Sequence, residues 1–308
     1  MSRLADLFPG FAAGWLKTGG VKLFARIGGS GPPVVLVHGF PQTHVEWWRV
    51  APRLAESHTV VALDLRGYGR SDAPRSVAGA SYTKRVMAAD VAAAMSGLGH
   101  DRFAYIGHDR GARVGYRLAL DHPGRLTSLA VLDIVPTAEM WRGMDAARAM
   151  AVYHWQFLAQ PHPIPETLIG GAAREYIDHT LGSWTKAKTL QAFDPRALAH
   201  YRALFADAAR IHACCEDYRA GATLDWRDDE ADIAAGRTID VPVLALWGAA
   251  GLPAQGESPL EVWRRWAPHA NGRALDAGHF LPEEAAEATA EALAEHLALT
   301  RTKTRRAD

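Results

Sequence analysis

The chain has 308 residues, with 48% hydrophobic and 22% charged side chains, the balance of an ordinary globular protein. That length suffices for one large domain, or for one domain carrying an inserted subdomain. Lys+Arg and Asp+Glu both number 34, so zero net charge excludes a global field favouring nucleic acid or an anionic membrane, and any taste for anions must be built locally.

Met1–Gly10 has no long apolar run after its basic start, so no signal peptide is expected. No stretch reaches membrane-spanning length. The two cysteines, Cys214 and Cys215, are adjacent. Vicinal cysteines rarely bridge without strain and two thiols do not make a zinc site, so they read as buried reduced thiols of a cytoplasmic protein, and no metal or cofactor is expected.

In chain order, Val21–Ile27 alternates like an edge strand, and Val34–His38 is an apolar run suited to a buried parallel strand. It ends in His38-Gly39-Phe40-Pro41. Residues 45–56 read as a helix and Thr59–Leu65 as a strand. The glycine-rich loop 66–72 lacks the Lys-Ser/Thr ending of a phosphate loop and is taken as structural. A helix is expected at 83–98, strands at 103–107 and 127–133, and a helix at 110–121. Residues 137–230 hold no convincing strand; they are helical and broken by Pro161, Pro163, Pro165 and Pro195. Strands resume at Val241–Trp247 and Gly272–Leu275, and a closing helix spans 282–299. Alternating strands and helices make this an α/β chain with a mostly parallel sheet covered on both faces. The expected layout is a core of residues 1–136 and 231–300, a helical cap at 137–230, and a flexible basic tail at 301–308.

The stretch Phe103–Leu120 organises the rest. Apolar residues turn sharply at Gly107-His108-Asp109-Arg110-Gly111 and then take helical spacing. This is the strand–elbow–helix context of an α/β-hydrolase nucleophile. The apex is Asp109 rather than Ser. A carboxylate is a poor acyl acceptor, but it can displace a leaving group from an sp3 carbon and hold the product as an ester. Asp109 therefore suggests a dehalogenase or an epoxide hydrolase rather than an esterase. In this fold the backbone N–H of Phe40, after His38-Gly39, and that of Arg110 would form the oxyanion hole.

Release of the ester needs a base. His279, between the last short strand and the closing helix, is placed for it. The loop after Trp247 carries no acid, so Asp133, at the end of its strand, is the candidate to orient His279, with Glu257 as fallback. Arg110 and Arg113 share a face of the elbow helix and sit in its first turn, against the helix dipole, so they need a negative partner. A substrate carboxylate would supply it, and so would an internal salt bridge, for instance from Arg113 to a core acid. Neutral donors for a leaving halide are available in Tyr153-His154-Trp155 and at Tyr218. His154 and Trp155 are about 100° apart on a regular helix, so they can share a pocket only around a helix end.

From Leu4–Gly10 to His279–Glu284 the sequence resembles the fluoroacetate (haloacetate) dehalogenases. The segments that carry the resemblance are His38-Gly-Phe-Pro-Gln-Thr-His44, Gly107-His-Asp-Arg-Gly-Ala-Arg113, Tyr153-His-Trp155, Cys215-Glu-Asp-Tyr-Arg-Ala-Gly221 and Gly278-His-Phe280. The resemblance implies that Asp109 is the nucleophile, His279 the base and Asp133 the acid. It implies that Arg110 and Arg113 hold the carboxylate, that His154, Trp155 and Tyr218 hold the halide, that Trp184 influences substrate size, and that the protein is a homodimer. The expected reaction is hydrolysis of short 2-haloacids, fluoroacetate to glycolate plus fluoride. Epoxide hydrolysis, with Tyr153 and Tyr218 on the epoxide oxygen, and a non-catalytic small-molecule receptor are the competing readings.

Overall fold

The computed structural model describes residues 4–304. One eight-stranded sheet has the order β1-β2-β4-β3-β5-β6-β7-β8. Its centre is β3 (Pro33–Val37), β4 (Thr59–Leu63), β5 (Phe103–His108) and β6 (Leu126–Leu132), all but wholly buried, as the apolar runs require of strands covered on both faces. β7 (Val243–Gly248) and β8 (Asn271–Leu275) extend it in parallel. At the other end β1 (Ala12–Lys17) and β2 (Lys22–Gly28) run antiparallel.

The segment expected as an edge strand is thus β2, second from the edge. β1 covers it, and its residues are mostly exposed, so neither alternation nor hydrophobicity marks it. The helix expected over 45–56 is two pieces. Thr43 caps a 3-10 turn at His44–Trp47, and α1 (Ala51–Ala55) begins afresh around Pro52, which has no N–H to continue a helix.

Helices α2 (Lys84–Gly97) and α3 (Arg110–Asp121) flank the sheet. Between β6 and β7 comes a helical run: α4 (Thr137–Arg142), α5 (Ala146–Ala151), α6 (Tyr153–Leu158), α7 (Ile164–Gly171), α8 (Ala173–Trp184), α9 (Pro195–Phe205), α10 (Ala208–Ala222) and α11 (Leu224–Ala234). α10 is buried on every side from Ala213 to Gly221. The chain closes with α12 (Pro259–Trp266), α13 (Leu281–Glu284) and α14 (Ala286–Thr304). α14 runs past the expected end at 299, and the rest of the tail, 305–308, lies outside the described residues. No helix among the described residues is long and apolar enough to cross a membrane.

The winding reverses between β3 and β5: the chain steps from β3 to β4 on one side and returns to β5 on the other. In open parallel sheets the carboxyl ends of strands at such a reversal form the binding crevice. The loop after β3 carries Phe40, and the turn after β5 carries Asp109.

Candidate active site

Asp109 caps α3 with φ +44° and ψ −114°, a conformation that costs a non-glycine residue roughly 1–3 kcal/mol. The two flanking glycines let the turn close. A Cβ on Gly107 would stand 2.6 Å from the Ala112 nitrogen, and one on Gly111 2.2 Å from the Val37 carbonyl oxygen of β3. The Phe40 N–H donates to Asp109 Oδ1 at 2.8 Å. Burial pushes the Asp109 carboxyl up, but His279, Arg110, His108 and Arg113 outweigh it and hold the group below the usual carboxylate range.

His279 lies in the turn between β8 and α13. Its Nδ1 is 2.7 Å from Asp133 Oδ2. Asp133, itself at φ +53°, accepts the Gly248 N–H on Oδ1 at 2.8 Å and is fixed through its own N–H to Leu246. An ionised carboxylate only accepts, so the His279 proton sits on Nδ1 and the Nε2 lone pair points away from it. Nε2 stands 3.9 Å from Asp109 Oδ2 and has no hydrogen-bond partner among the described residues. Glu257, the fallback acid, is exposed and pairs with Arg265 at 2.5 Å. A further support carries no sequence signal beyond lying beside the elbow. His108 donates from Nε2 to the His279 carbonyl at 2.9 Å, with Glu46 Oε2 3.2 Å from its Nδ1. Burial pulls the His108 ring down, but Glu46 overrides it and raises the pKa to about 9.

The two arginines are not equivalent. Arg110 is the one with the internal ion pair: Nη2 donates to Asp217 Oδ1 at 2.6 Å and to the Asp217 carbonyl at 2.7 Å. Its Nη1 is buried and without a partner among the described residues. Arg113, expected with Arg110 as a carboxylate ligand and set against the alternative of a core salt bridge, makes no ion pair among the described residues. Its Nη1 donates to the Val135 carbonyl (3.1 Å) and to Thr137 Oγ1 (3.0 Å), its Nε is unsatisfied, and the guanidinium lies 4.7 Å over the Trp155 ring. Burial, with Arg110 nearby, lowers its pKa, although Tyr116 and Asp109 act the other way.

Asp109, Arg113, Asp133, His154, Trp155, Trp184 and His279 line one cavity of about 370 Å3. His154 and Trp155 share it because they occupy the first turn of the six-residue α6, where the Trp155 N–H closes a turn on the Val152 carbonyl. Burial pushes the His154 ring down to about 3, so it is neutral. Its Nδ1 has no partner among the described residues. Trp184 packs 4.3 Å from His154 and 5.4 Å from His279. Arg110, Tyr218 and Phe40 pack beside these residues: Arg110 lies 4.4 Å over the Tyr218 ring, and Tyr218 is 5.6 Å from His154 and 5.1 Å from Phe40. Tyr153 is half-exposed at the rim.

A family model described as the alpha/beta hydrolase fold matches residues 32–286. The chain belongs to that family. This α/β-hydrolase is 44% identical over 295 residues to a fluoroacetate dehalogenase from a Burkholderia species, covering 94% of this chain and 95% of the relative. It is 30% identical to a soluble epoxide hydrolase from Corynebacterium sp. strain C12, covering 86% and 90% respectively. Among solved structures, a provisionally assigned α/β hydrolase from Nostoc sp. PCC 7120 superposes with a TM-score of 0.90 at 48% identity, covering 93% of this chain and 98% of that one. The chain is therefore a hydrolase and not merely a binding protein on the same scaffold.

Proposed function

We propose that this hydrolase removes halide from short 2-haloacids, fluoroacetate foremost, through an ester on Asp109. The observation that carries the reading is Arg113: a buried cation with no acid partner among the described residues, facing the same cavity as Asp109 and His279. A substrate carboxylate held there, with Arg110 Nη1 as a second donor, compensates it. The helical run 137–230 then acts as the cap that closes over the substrate and brings the halide donors.

In the first step Asp109 Oδ2 attacks the α-carbon in line. A C–O bond forms as the C–X bond breaks, and the halide takes the bonding pair into donors from His154, Trp155 and Tyr218. Losing one such donor typically costs about 100- to 1,000-fold in rate. In the second step His279 Nε2 takes a proton from water, and the hydroxide adds to the Asp109 carboxyl carbon. Oδ1 becomes the oxyanion, already held by the Phe40 N–H, with the Arg110 N–H as the second donor. Collapse breaks the bond to the alkoxide, which takes the proton from the His279 imidazolium and leaves as the 2-hydroxyacid; a water oxygen stays on the Asp109 carboxyl, whose proton passes to solvent. Asp133 keeps the His279 tautomer and stabilises the imidazolium.

The test is one turnover in 18O-water with enzyme in excess. The reading expects unlabelled glycolate, one labelled oxygen on Asp109, and stoichiometric fluoride. Label in the first glycolate would mean direct attack by water and would overturn the ester. Epoxide hydrolysis uses the same triad, and similarity to an epoxide hydrolase supports it as the second reading; turnover of styrene oxide with no fluoride release from fluoroacetate would select it.

A further inference from the structure

Away from the cavity, on the outer face of the helical run, two imidazoles and a carboxylate converge. His162, in the turn before α7, and Glu166, in the first turn of α7, meet His212 of α10. Their ligand atoms lie within 4.8 Å of one another. The His212 Nδ1 is 3.0 Å and the His162 Nδ1 3.3 Å from the same Glu166 oxygen, Oε1, and the two rings meet edge to face at 5.4 Å.

The contacts converge on one carboxylate oxygen. Glu166 Oε1 also accepts Arg219 Nη1 at 2.8 Å, so three nitrogens crowd an oxygen with two lone pairs. His212 Nε2 is 3.2 Å from the Ser76 carbonyl, which can only accept, so that nitrogen carries the proton. With its Nε2 proton on that carbonyl, the ring presents Nδ1 to Glu166, where a cation shared by the two groups can sit. A ring N–H held by a backbone carbonyl is also the usual outer partner of a metal-bound histidine.

The dimensions agree. Zinc bonds of about 2.0–2.1 Å arranged as a tetrahedron set ligand atoms about 3.3 Å apart, close to the two N···O separations. The half-exposed His162 ring has room to turn the rest of the way. Arg219 also holds Glu166 Oε2, through Nη2 at 3.0 Å, so an ion at Oε1 takes the place of the Arg219 Nη1 contact while Oε2 stays anchored. Glu216 is paired to Arg219 as well, so Glu166, Glu216 and Arg219 together sum to one negative charge, and Arg75 lines the groove alongside. The groove, of about 820 Å3, admits water to complete the coordination.

We infer that His162, Glu166 and His212 form a binding site for a divalent ion of the zinc class, for which two imidazoles and a carboxylate are suited donors. The ion clips the start of α7 to α10, the helix that carries Asp217 and Tyr218. It stabilises the helical run without entering the active cavity.

The test uses the untagged full-length enzyme, stripped with chelator and titrated with zinc chloride by calorimetry, and with cobalt(II) by visible absorption. One equivalent should bind saturably and raise the melting temperature. His162→Ala changes a half-exposed side chain, so its metal-free melting temperature should match the parent, while zinc affinity falls at least tenfold and the thermal shift disappears. His212→Gln should lose binding likewise. Failure to saturate below millimolar zinc would overturn the site, as would undiminished affinity in His162→Ala.

Discussion

Arg113 and Arg110 are three residues apart on one helix, yet the structure gives them opposite circumstances. Arg110 is bound to Asp217, so its charge is balanced before any ligand arrives. Arg113 is not balanced, and it is there that a substrate charge gains most. Truncating one partner of a buried, hydrogen-bonded charge pair costs about 2–5 kcal/mol, or roughly 30- to several-thousand-fold. Arg113→Gln should therefore lower kcat/KM for fluoroacetate by that range, largely through KM, measured by fluoride release. Arg113→Lys should recover little of it, because a point charge does not reproduce the planar fork. If Arg113→Gln were within threefold of the parent, the carboxylate would be held elsewhere. Asp109→Asn removes the attacking oxygen and should release no fluoride beyond background, while its melting temperature stays close to the parent's.

At the scale of elements, α13 is joined to the helical run through Glu283. Its Oε1 accepts the Tyr201 hydroxyl of α9 in a short hydrogen bond and lies 3.5 Å from Gln42 Nε2, while Oε2 is buried and unsatisfied among the described residues. Burial, with Glu46 nearby, raises the carboxyl pKa to about 8, although the Tyr201 hydroxyl pulls the other way. The folded chain thus holds a proton that the unfolded chain releases near pH 4.5. Between those values the folded state binds more protons, so this group makes stability fall as pH rises. Glu283→Gln mimics the protonated form. Thermal melts from pH 5 to 9 should decline less steeply in that variant than in the parent; parallel curves would mean that Glu283 is ionised throughout.

The same packing explains what could be read from the sequence. The four central strands and the elbow declare themselves locally, by apolar runs and by glycines bracketing a charged apex. His279 and Asp133 follow from chain order. β1 does not declare itself, because its exposed residues follow no alternation. The pairing of Arg110 does not either, because Asp217 is 107 positions away in sequence. Motif reasoning could name both arginines but not tell which one the protein had already neutralised. The support of His279 by His108 and Glu46 was equally invisible, since it depends on which rings meet after three loops have folded together.

At the scale of the whole molecule, Asp217 fastens the helical run to the sheet. From α10 it meets Arg110 of α3, Lys84 of α2 in a short contact, and the Tyr68 hydroxyl at 2.8 Å. Burial pushes its carboxyl up, but Arg110 and Lys84 overcome this and hold it far below the carboxylate range. The group's contribution is therefore present above the unfolded value and lost as pH falls toward its depressed one. A buried ion pair need not stabilise a fold relative to apolar residues, but removing one member strands the others. That typically costs about 3–5 kcal/mol. Asp217→Asn keeps the shape and removes the charge, leaving, among the described residues, Arg110 with no ion-pair partner and Lys84 with only Asp225, 3.4 Å away. For a chain of this size the melting temperature should drop by roughly 5–10 °C. The loss should fall unevenly, because Asp217 ties α10 to α2 and α3 whereas the sheet keeps all its ladders. Hydrogen exchange should then show α6, α7 and α10 opening well before β3, β5 and β6, where the parent opens them together. Uniform loss of protection would place the fastening in the apolar core that both parts share.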